Sequence, residues 1–197
     1  LTELLINEFL TFRVVAIEKD KELVEFLKKK FHQNKNIEII EGDALKILPG
    51  LIKTRKLKTK NYKIVGNVPY YITGYLLRIL SELDSKPKLT VLTIQKEVAL
   101  RLCSEPPKMN LLAAAVRFWS EPKLLGFISK NDFQPKPKVD SAIISLELKK
   151  YDVKIQKKYY EFIRILFKQP RKTVFNNLKP IFARKNGDFL KTVSILP

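Results

Sequence analysis

Apolar residues along the first 150 positions follow two alternating rhythms. Short, nearly continuous apolar runs predict buried strands, and stretches with apolar residues every three or four positions predict amphipathic helices. LTELLINEFL (1–10) predicts a helix with Leu4, Leu5 and Phe9 on one stripe. RVVAIEKD predicts a strand from Val14 to Ile17 that ends on Glu18. DKELVEFLKKKF follows as a helix, capped by Asp20, with Leu23, Phe26 and Leu27 as its face and lysines in its last turn. IEIIEGDAL is a short strand running to Gly42-Asp43, and residues 49–61 read as a proline- and lysine-rich connection. YKIVGN is a strand, ITGYLLRILSEL a helix, LTVLTIQ a strand and KEVALRLC a helix. This order predicts an α/β fold, a parallel sheet covered on both faces. FQPKPKVDSAIISLEL predicts a loop feeding a late antiparallel strand, with alternation through Val139, Ala142, Ile144 and Leu146. From Tyr159 onward the period is helical (YYEFIRILFKQ, then RKTVFNNLKPIF), which places a boundary near 149–154. Two domains are expected, 1–150 and a small basic helical one at 151–197.

Composition narrows the function classes. The 197 residues are 45% hydrophobic, enough for a core. The longest apolar runs are far too short to span a bilayer, and the opening residues do not read as a signal peptide. Cys103 is the only cysteine and reads as an inert, buried or half-buried thiol suited to a reducing cytoplasm. His32 is the only histidine and reads as a solvated residue. One of each excludes a His/Cys zinc site, a Ser-His-Asp triad and a Cys-His nucleophile built within this chain, and no metal is expected.

Charge points to a partner. The 38 Lys+Arg against 20 Asp+Glu give +18. Residues 149–197 hold 13 basic and 3 acidic residues, a surplus of 10, and KTRKLKTKNYK (53–63) holds six basic residues and no acid. Clustered cations displace counterions from phosphates, so a polyanion is expected. Nucleic acid is favoured over a membrane, because no exposed apolar face accompanies the basic segments.

A doubly wound sheet binds ligands outside the carboxyl ends of its strands. Three of the predicted strands end in Glu18, Asp43 and Asn67. An acid closing the fold's second strand can accept hydrogen bonds from both ribose hydroxyls, and an acid after the third can receive an adenine amine. The alternative is that each residue caps the helix or turn that follows. A nucleotide-like cofactor here would suit a dehydrogenase or a methyltransferase, and both use a glycine-rich turn after the first strand. The first glycine is Gly42, and LTELL reads as the helix that follows such a turn. The first strand and its glycine loop are therefore expected to be absent from this chain, and its grip on a cofactor to be weakened. A hydride-transfer site of the Tyr-x-x-x-Lys or histidine type is not seen, which disfavours the dehydrogenase.

GNVPYY (66–71) closes the third of these strands. Asn-x-Pro is ordinary turn chemistry, but it also suits a flat ring bearing an exocyclic amine. The lone pair of an adenine amine is delocalised into the ring. A site that methylates it needs acceptors for both N–H bonds as the nitrogen turns tetrahedral. Asn67 Oδ1 supplies one acceptor, and the Val68 carbonyl, held by Pro69, a second. Tyr70 supplies a stacking face, and such stacking is worth roughly 1–3 kcal/mol per base. The departing proton can leave to water.

These stretches resemble the S-adenosylmethionine-dependent ribosomal RNA adenine dimethyltransferases. GNVPYYIT is similar to that family's Asn-(Leu/Ile/Val)-Pro-Tyr motif, VVAIEKDKELVEFLKKKF and IEIIEGDAL to its ribose- and adenine-binding units, and TIQKEVALRL to the unit after the motif. FQPKPKVDSAIISL and FKQPRKTVFNNLK resemble its Phe-x-Pro-x-Pro-Lys-Val-Asp-Ser-Ala and Arg-Lys-Thr segments. CSEPPKMN (103–110) departs from the Gly-Ser-Lys-x-Tyr-Gly usual in bacterial members. The resemblance implies a Rossmann-like class I methyltransferase, with Glu18, Asp43 and Asn67 toward S-adenosylmethionine and Asn67, Val68, Pro69 and Tyr70 catalytic. It implies that Phe133 is a second aromatic wall against the target base; the alternative is a core residue anchoring its loop. Tyr71 reads as packing, and Asp140 and Ser141 as holding the start of a strand. The implied reaction dimethylates two adjacent adenines near the 3′ end of small-subunit ribosomal RNA, by a cytoplasmic monomer acting on a pre-30S-type particle. A macrolide-resistance type of large-subunit methylase and a non-catalytic assembly factor are the alternatives. Asp140 favours the small-subunit branch over the former, and the intact Asn67–Tyr70 motif disfavours the latter.

Overall fold

Two short β-branched runs make the first sheet element. β1 (Val14–Glu18) and β2 (Ile37–Glu41) pair in parallel, Val14 opposite Ile37 through Glu18 opposite Glu41. The computed structural model describes residues 2–8, 13–53, 61–169 and 171–184. Its contacts divide the chain into two units, Leu1–Lys60 with Arg78–Ser85, and Asn61–Leu77 with Lys86–Pro197.

In the first unit, a parallel pair needs a crossover, and α2 (Lys21–Lys30) supplies it. Asp20 caps α2 as expected, its Oδ1 accepting from the Glu22 and Leu23 amides at 2.9 and 3.3 Å. The buried face is not the expected one. Val24 is buried, whereas Leu23 and Phe26 are 50% and 56% exposed. Only Lys19 and Asp20 link β1 to α2, so the cap sets the helix phase. That phase turns Val24 toward β1 and β2, on which α2 packs. Phe26 turns outward, with Lys30 Nζ 5.8 Å from its ring centre. α1 (Thr2–Glu8) differs similarly: Ile6 is buried and Leu4 exposed, while Phe9 lies outside the described residues. Lys30 Nζ reaches Glu3 at 2.7 Å and holds that carboxyl below its ordinary pKa.

The expected connection at 49–61 begins instead as a helix, α3 (Ala44–Lys53), with Pro49 inside it. Proline removes one helical hydrogen bond, a loss of about 3 kcal/mol. Burial of Leu48, Leu51 and Ile52 offsets this, at roughly 1.5–3 kcal/mol for each large aliphatic side chain. Residues 54–60, most of the basic block at 53–63, lie outside the described residues.

The second unit holds a four-stranded sheet in the order β3-β4-β6-β5. β3 (Lys63–Asn67) and β4 (Leu89–Gln95) are parallel, and α4 (Thr73–Glu82) lies between them in sequence. β6 (Ser141–Leu148) runs antiparallel to β4 and to β5 (Ser120–Ile128), as expected of a late strand. Its core register is direct: Thr90 lies opposite Leu146, Leu92 opposite Ile144 and Ile94 opposite Ala142, all fully buried. Val139 precedes the strand and is exposed, so the alternation starts at Ala142. β5 is an edge strand, bulged between Leu124 and Gly126, that sequence patterning did not predict. α5 (Lys96–Leu102) and the unpredicted α6 (Leu111–Arg117) pack beside it. Burial raises the pKa of the half-buried Cys103 thiol, and the Arg117 guanidinium opposes that shift.

α7 (Gln156–Leu166) docks on α6 through aromatics. Phe118 stacks on Tyr159 at 4.5 Å, and the Tyr159 hydroxyl donates to the Ala114 carbonyl at 2.9 Å. α8 (Val174–Arg184) follows a turn organised by the buried Asn177. Its Oδ1 accepts from the Gln169 amide, and its Nδ2 donates to the carbonyls of Gln169, Lys172 and Thr173. This turn presents Arg171 and Lys172 to solvent. Among the described residues no helix is long and apolar enough to cross a membrane.

Candidate active site

In the first unit the tips of β1 and β2 are tied together. The Gly42 amide donates to the Glu18 carbonyl at 2.7 Å. Gly42 has φ 143°, a left-handed conformation that disfavours side chains, and a Cβ there would meet Ile47 Cδ1 at 2.7 Å. Glu18 Oε1 accepts from the Lys19 and Asp20 amides at 2.7 and 2.9 Å. Asp43 caps α3, its Oδ1 accepting from the Leu45 amide at 2.9 Å and its carbonyl from Lys46 and Ile47. Each acid thus has the capping role, and each keeps a second oxygen without a partner among the described residues. Two carboxylates at the ends of adjacent strands offer only acceptors. Those acceptors fit a ligand whose ribose hydroxyls and adenine amine donate.

In the second unit, register collects the catalytic candidates on one rim. Asn67 ends β3 opposite Thr93, Gln95 ends β4 opposite Ser141, and Ser141 begins β6 opposite Ile128 at the end of β5. Asn67 is exposed, and its side-chain amide takes no partner among the described residues. Val68 is buried, its amide donating to the Thr93 carbonyl at 3.2 Å. Pro69 opens a 3-10 turn, Tyr70–Ile72, by accepting from the Ile72 amide at 3.0 Å. The Tyr70 hydroxyl lies 2.7 Å from Oγ of the fully buried Ser141. That hydrogen bond fixes the ring while leaving Tyr70 half-exposed.

Phe133 sits on the loop that returns from β5 to β6 at the same rim. It is half-buried, in extended conformation, with no ring partner among the described residues. Asp140 holds this loop: its Oδ1 accepts from the Lys130 amide at 3.1 Å, and its carbonyl accepts from the Lys96 amide at 3.0 Å. An open depression of about 450 Å³ lies here, lined by Gln95, Lys96, Glu97, Leu100, Lys130, Val139 and Asp140.

The family model for ribosomal RNA adenine dimethylases matches residues 1–196. The chain belongs to this family. It is 41% identical over 203 residues to the ribosomal RNA small subunit methyltransferase A of Mycoplasma capricolum subsp. capricolum, covering 99% of this chain and 74% of that one. To the protein of the same name from Mycoplasmopsis pulmonis it is 37% identical over 185 residues, 92% of this chain and 69% of that one. Two solved structures share the class I methyltransferase fold. A dimethyladenosine transferase from Plasmodium falciparum aligns with TM-score 0.70 at 23% identity, over 94% of this chain and 68% of that one. The 23S rRNA methyltransferase ErmE aligns with TM-score 0.68 at 20% identity, over 91% and 70%.

Two features of this adenine dimethylase family member escaped the sequence reading. Tyr71 is not packing: it is 76% exposed, because the 3-10 turn that half-buries Tyr70 turns the next side chain outward. Ser141 does more than hold a strand start, since it anchors Tyr70 across the sheet.

Proposed function

We propose that this chain transfers methyl groups from S-adenosylmethionine to the N6 amines of two adjacent adenines near the 3′ end of small-subunit ribosomal RNA. The observation that carries this reading is the exposed Asn67 amide at a strand end, without a partner among the described residues, beside a Tyr70 ring held by Ser141. The small-subunit substrate is favoured by the names of relatives 34–41% identical to the chain.

S-adenosylmethionine supplies an electrophilic methyl on sulfur. The second oxygen of Glu18 would hold its ribose hydroxyls, and that of Asp43 its adenine amine. Asn67 Oδ1 accepts one N–H of the target amine, and the Val68 carbonyl accepts the other. As the nitrogen becomes tetrahedral, these acceptors stabilise its growing positive charge. Pro69 stiffens the backbone between them, and the Tyr70 ring stacks on the target base, with Phe133 as the opposite wall. The amine proton then leaves to water. The surplus of cations within 149–197, 13 basic against 3 acidic residues, holds phosphates. The acting form is a cytoplasmic monomer on a pre-30S-type particle.

Mass spectrometry of RNA from undermethylated small subunits, incubated with the protein and methyl donor, tests this. The expected result is two adjacent dimethyladenines near the 3′ end. Methylation confined to large-subunit RNA, or none with a demonstrably donor-loaded protein, overturns it.

A further inference from the structure

Two large aromatics stand in solvent beside the proposed catalytic turn. Tyr71 is 76% exposed and Tyr75, four residues on in the first turn of α4, is 66% exposed. The inward face of the same stretch is well filled, with Thr73, Leu76 and Leu77 buried. Between the tyrosines lies Gly74, where a Cβ would meet nothing within 4 Å. Among the described residues the space above Gly74 is therefore open. The backbone beneath it is fixed, because the Ile72 amide donates to the Pro69 carbonyl and the Thr73 amide to the Tyr70 carbonyl. Tyrosine has only two side-chain torsions, so holding its ring against a ligand costs little entropy.

We infer that Tyr71 and Tyr75 form a stacking platform for an unpaired RNA base flanking the target adenine. This rests on the reading of Asn67–Tyr70 as the site that takes the target base. Two observations and one general property of aromatic rings select the occupant. Tyr71 adjoins Tyr70 in the same 3-10 turn, so a strand whose target base enters at Tyr70 carries its neighbouring nucleotide past Tyr71. The chain's charge of +18 favours a polyanion over an ordinary protein surface. Aromatic faces bind bases with little sequence demand, which suits a flanking position.

The test is a cycle between protein and RNA. RNA affinity is measured for wild type, Tyr71→Ala, Tyr75→Ala and the double variant, with a small-subunit 3′-end hairpin and with copies made abasic at each nucleotide flanking the target. Each alanine is expected to weaken binding of the intact hairpin about fivefold or more, from the usual strength of base–aromatic stacking. At one flanking position the abasic change should weaken wild type but have no further effect on the alanine variant. Tyr71→Phe and Tyr75→Phe should bind as wild type, because the face and not the hydroxyl is used.

Losses that add at every flanking position overturn the platform, as does unchanged affinity in the double variant. A defect seen only with whole ribosomal particles, and not with naked RNA, also overturns it and assigns the tyrosines to a protein partner. These binding readouts do not depend on methyl transfer. A wild type that binds through the platform but methylates no adenine thus fails the proposed function and leaves the platform standing.

Discussion

The strand tips of the two units treat their polar side chains differently. At β1 and β2 the acids are employed locally: Glu18 Oε1 holds two amides of the next turn, and Asp43 Oδ1 caps α3. At β3 the Asn67 amide holds nothing among the described residues, while the neighbouring backbone is fixed by Val68 and Pro69. A carboxylate that serves the fold can also serve a ligand with its second oxygen, so its loss mixes two effects. An exposed amide at the end of a strand contributes little to stability.

Asn67→Ala separates the two most sharply. Turnover should fall at least a hundredfold, about 2.7 kcal/mol, the scale seen when one preorganised hydrogen-bonding group is lost from a transition state. Melting temperature and RNA affinity should stay as in wild type, because the side chain makes no hydrogen bond among the described residues. Single-turnover methylation, thermal denaturation and RNA titration measure the three quantities. A variant that melts early breaks the contrast, and one that turns over normally removes Asn67 from the chemistry.

The acids give the next largest effect, and their two roles come apart by choice of substitution. Glu18→Ala and Asp43→Ala should weaken methyl-donor binding about tenfold, about 1.4 kcal/mol. They should also cost roughly 1 kcal/mol of stability each, as a lost cap does. Glu18→Gln and Asp43→Asn keep an acceptor oxygen for the backbone amides. They should recover part of the stability that the alanine variants lose yet bind donor more weakly than wild type, since hydrogen bonds to a charged carboxylate are about twice as strong as neutral ones. Calorimetry of donor binding beside thermal melts decides the matter. Wild-type donor affinity in both amide variants returns the acids to the capping role alone.

Much of this layout was legible in the sequence, for a physical reason. β1, β2, β3 and β4 are apolar runs that stop at polar tips, β6 starts from one at Ser141, and the proposed catalytic groups at 67–70 are consecutive, so chemistry and position coincide. Three things were hidden. Pro49 made a helix look like a connection, although burial of Leu48, Leu51 and Ile52 outweighs the lost hydrogen bond. β5 carries Pro122 and leaves Leu124, Leu125 and Phe127 exposed, the irregular pattern of an edge strand rather than a buried one. The rotation of α2 follows from a two-residue linker and a cap, which hydrophobic spacing alone does not register. Ser141 was beyond reach for another reason: its partner is 71 positions away, and one hydrogen bond leaves no period in a sequence.

That hydrogen bond is the smallest effect and the finest probe of the contrast. Tyr70 OH and Ser141 Oγ lie 2.7 Å apart, with the serine fully buried and the tyrosine half-exposed. A single neutral hydrogen bond contributes about 0.5–1.5 kcal/mol net. If its role is to hold the Tyr70 ring where the base must stack, then Ser141→Ala should lower turnover roughly two- to tenfold. Tyr70→Phe should do the same, because the stacking face survives and only the anchor is lost. The double variant should be no worse than either single one, since both remove the same bond. Ser141→Thr keeps the hydroxyl and should recover most of the turnover if the buried site admits one more methyl. A merely structural serine predicts otherwise: a stability loss without a turnover loss, and effects that add to those of Tyr70→Phe. Additive losses in the cycle would therefore detach Tyr70 from its anchor. The ring would then be placed by the 3-10 turn alone, and the rim of β3 would owe nothing to β6.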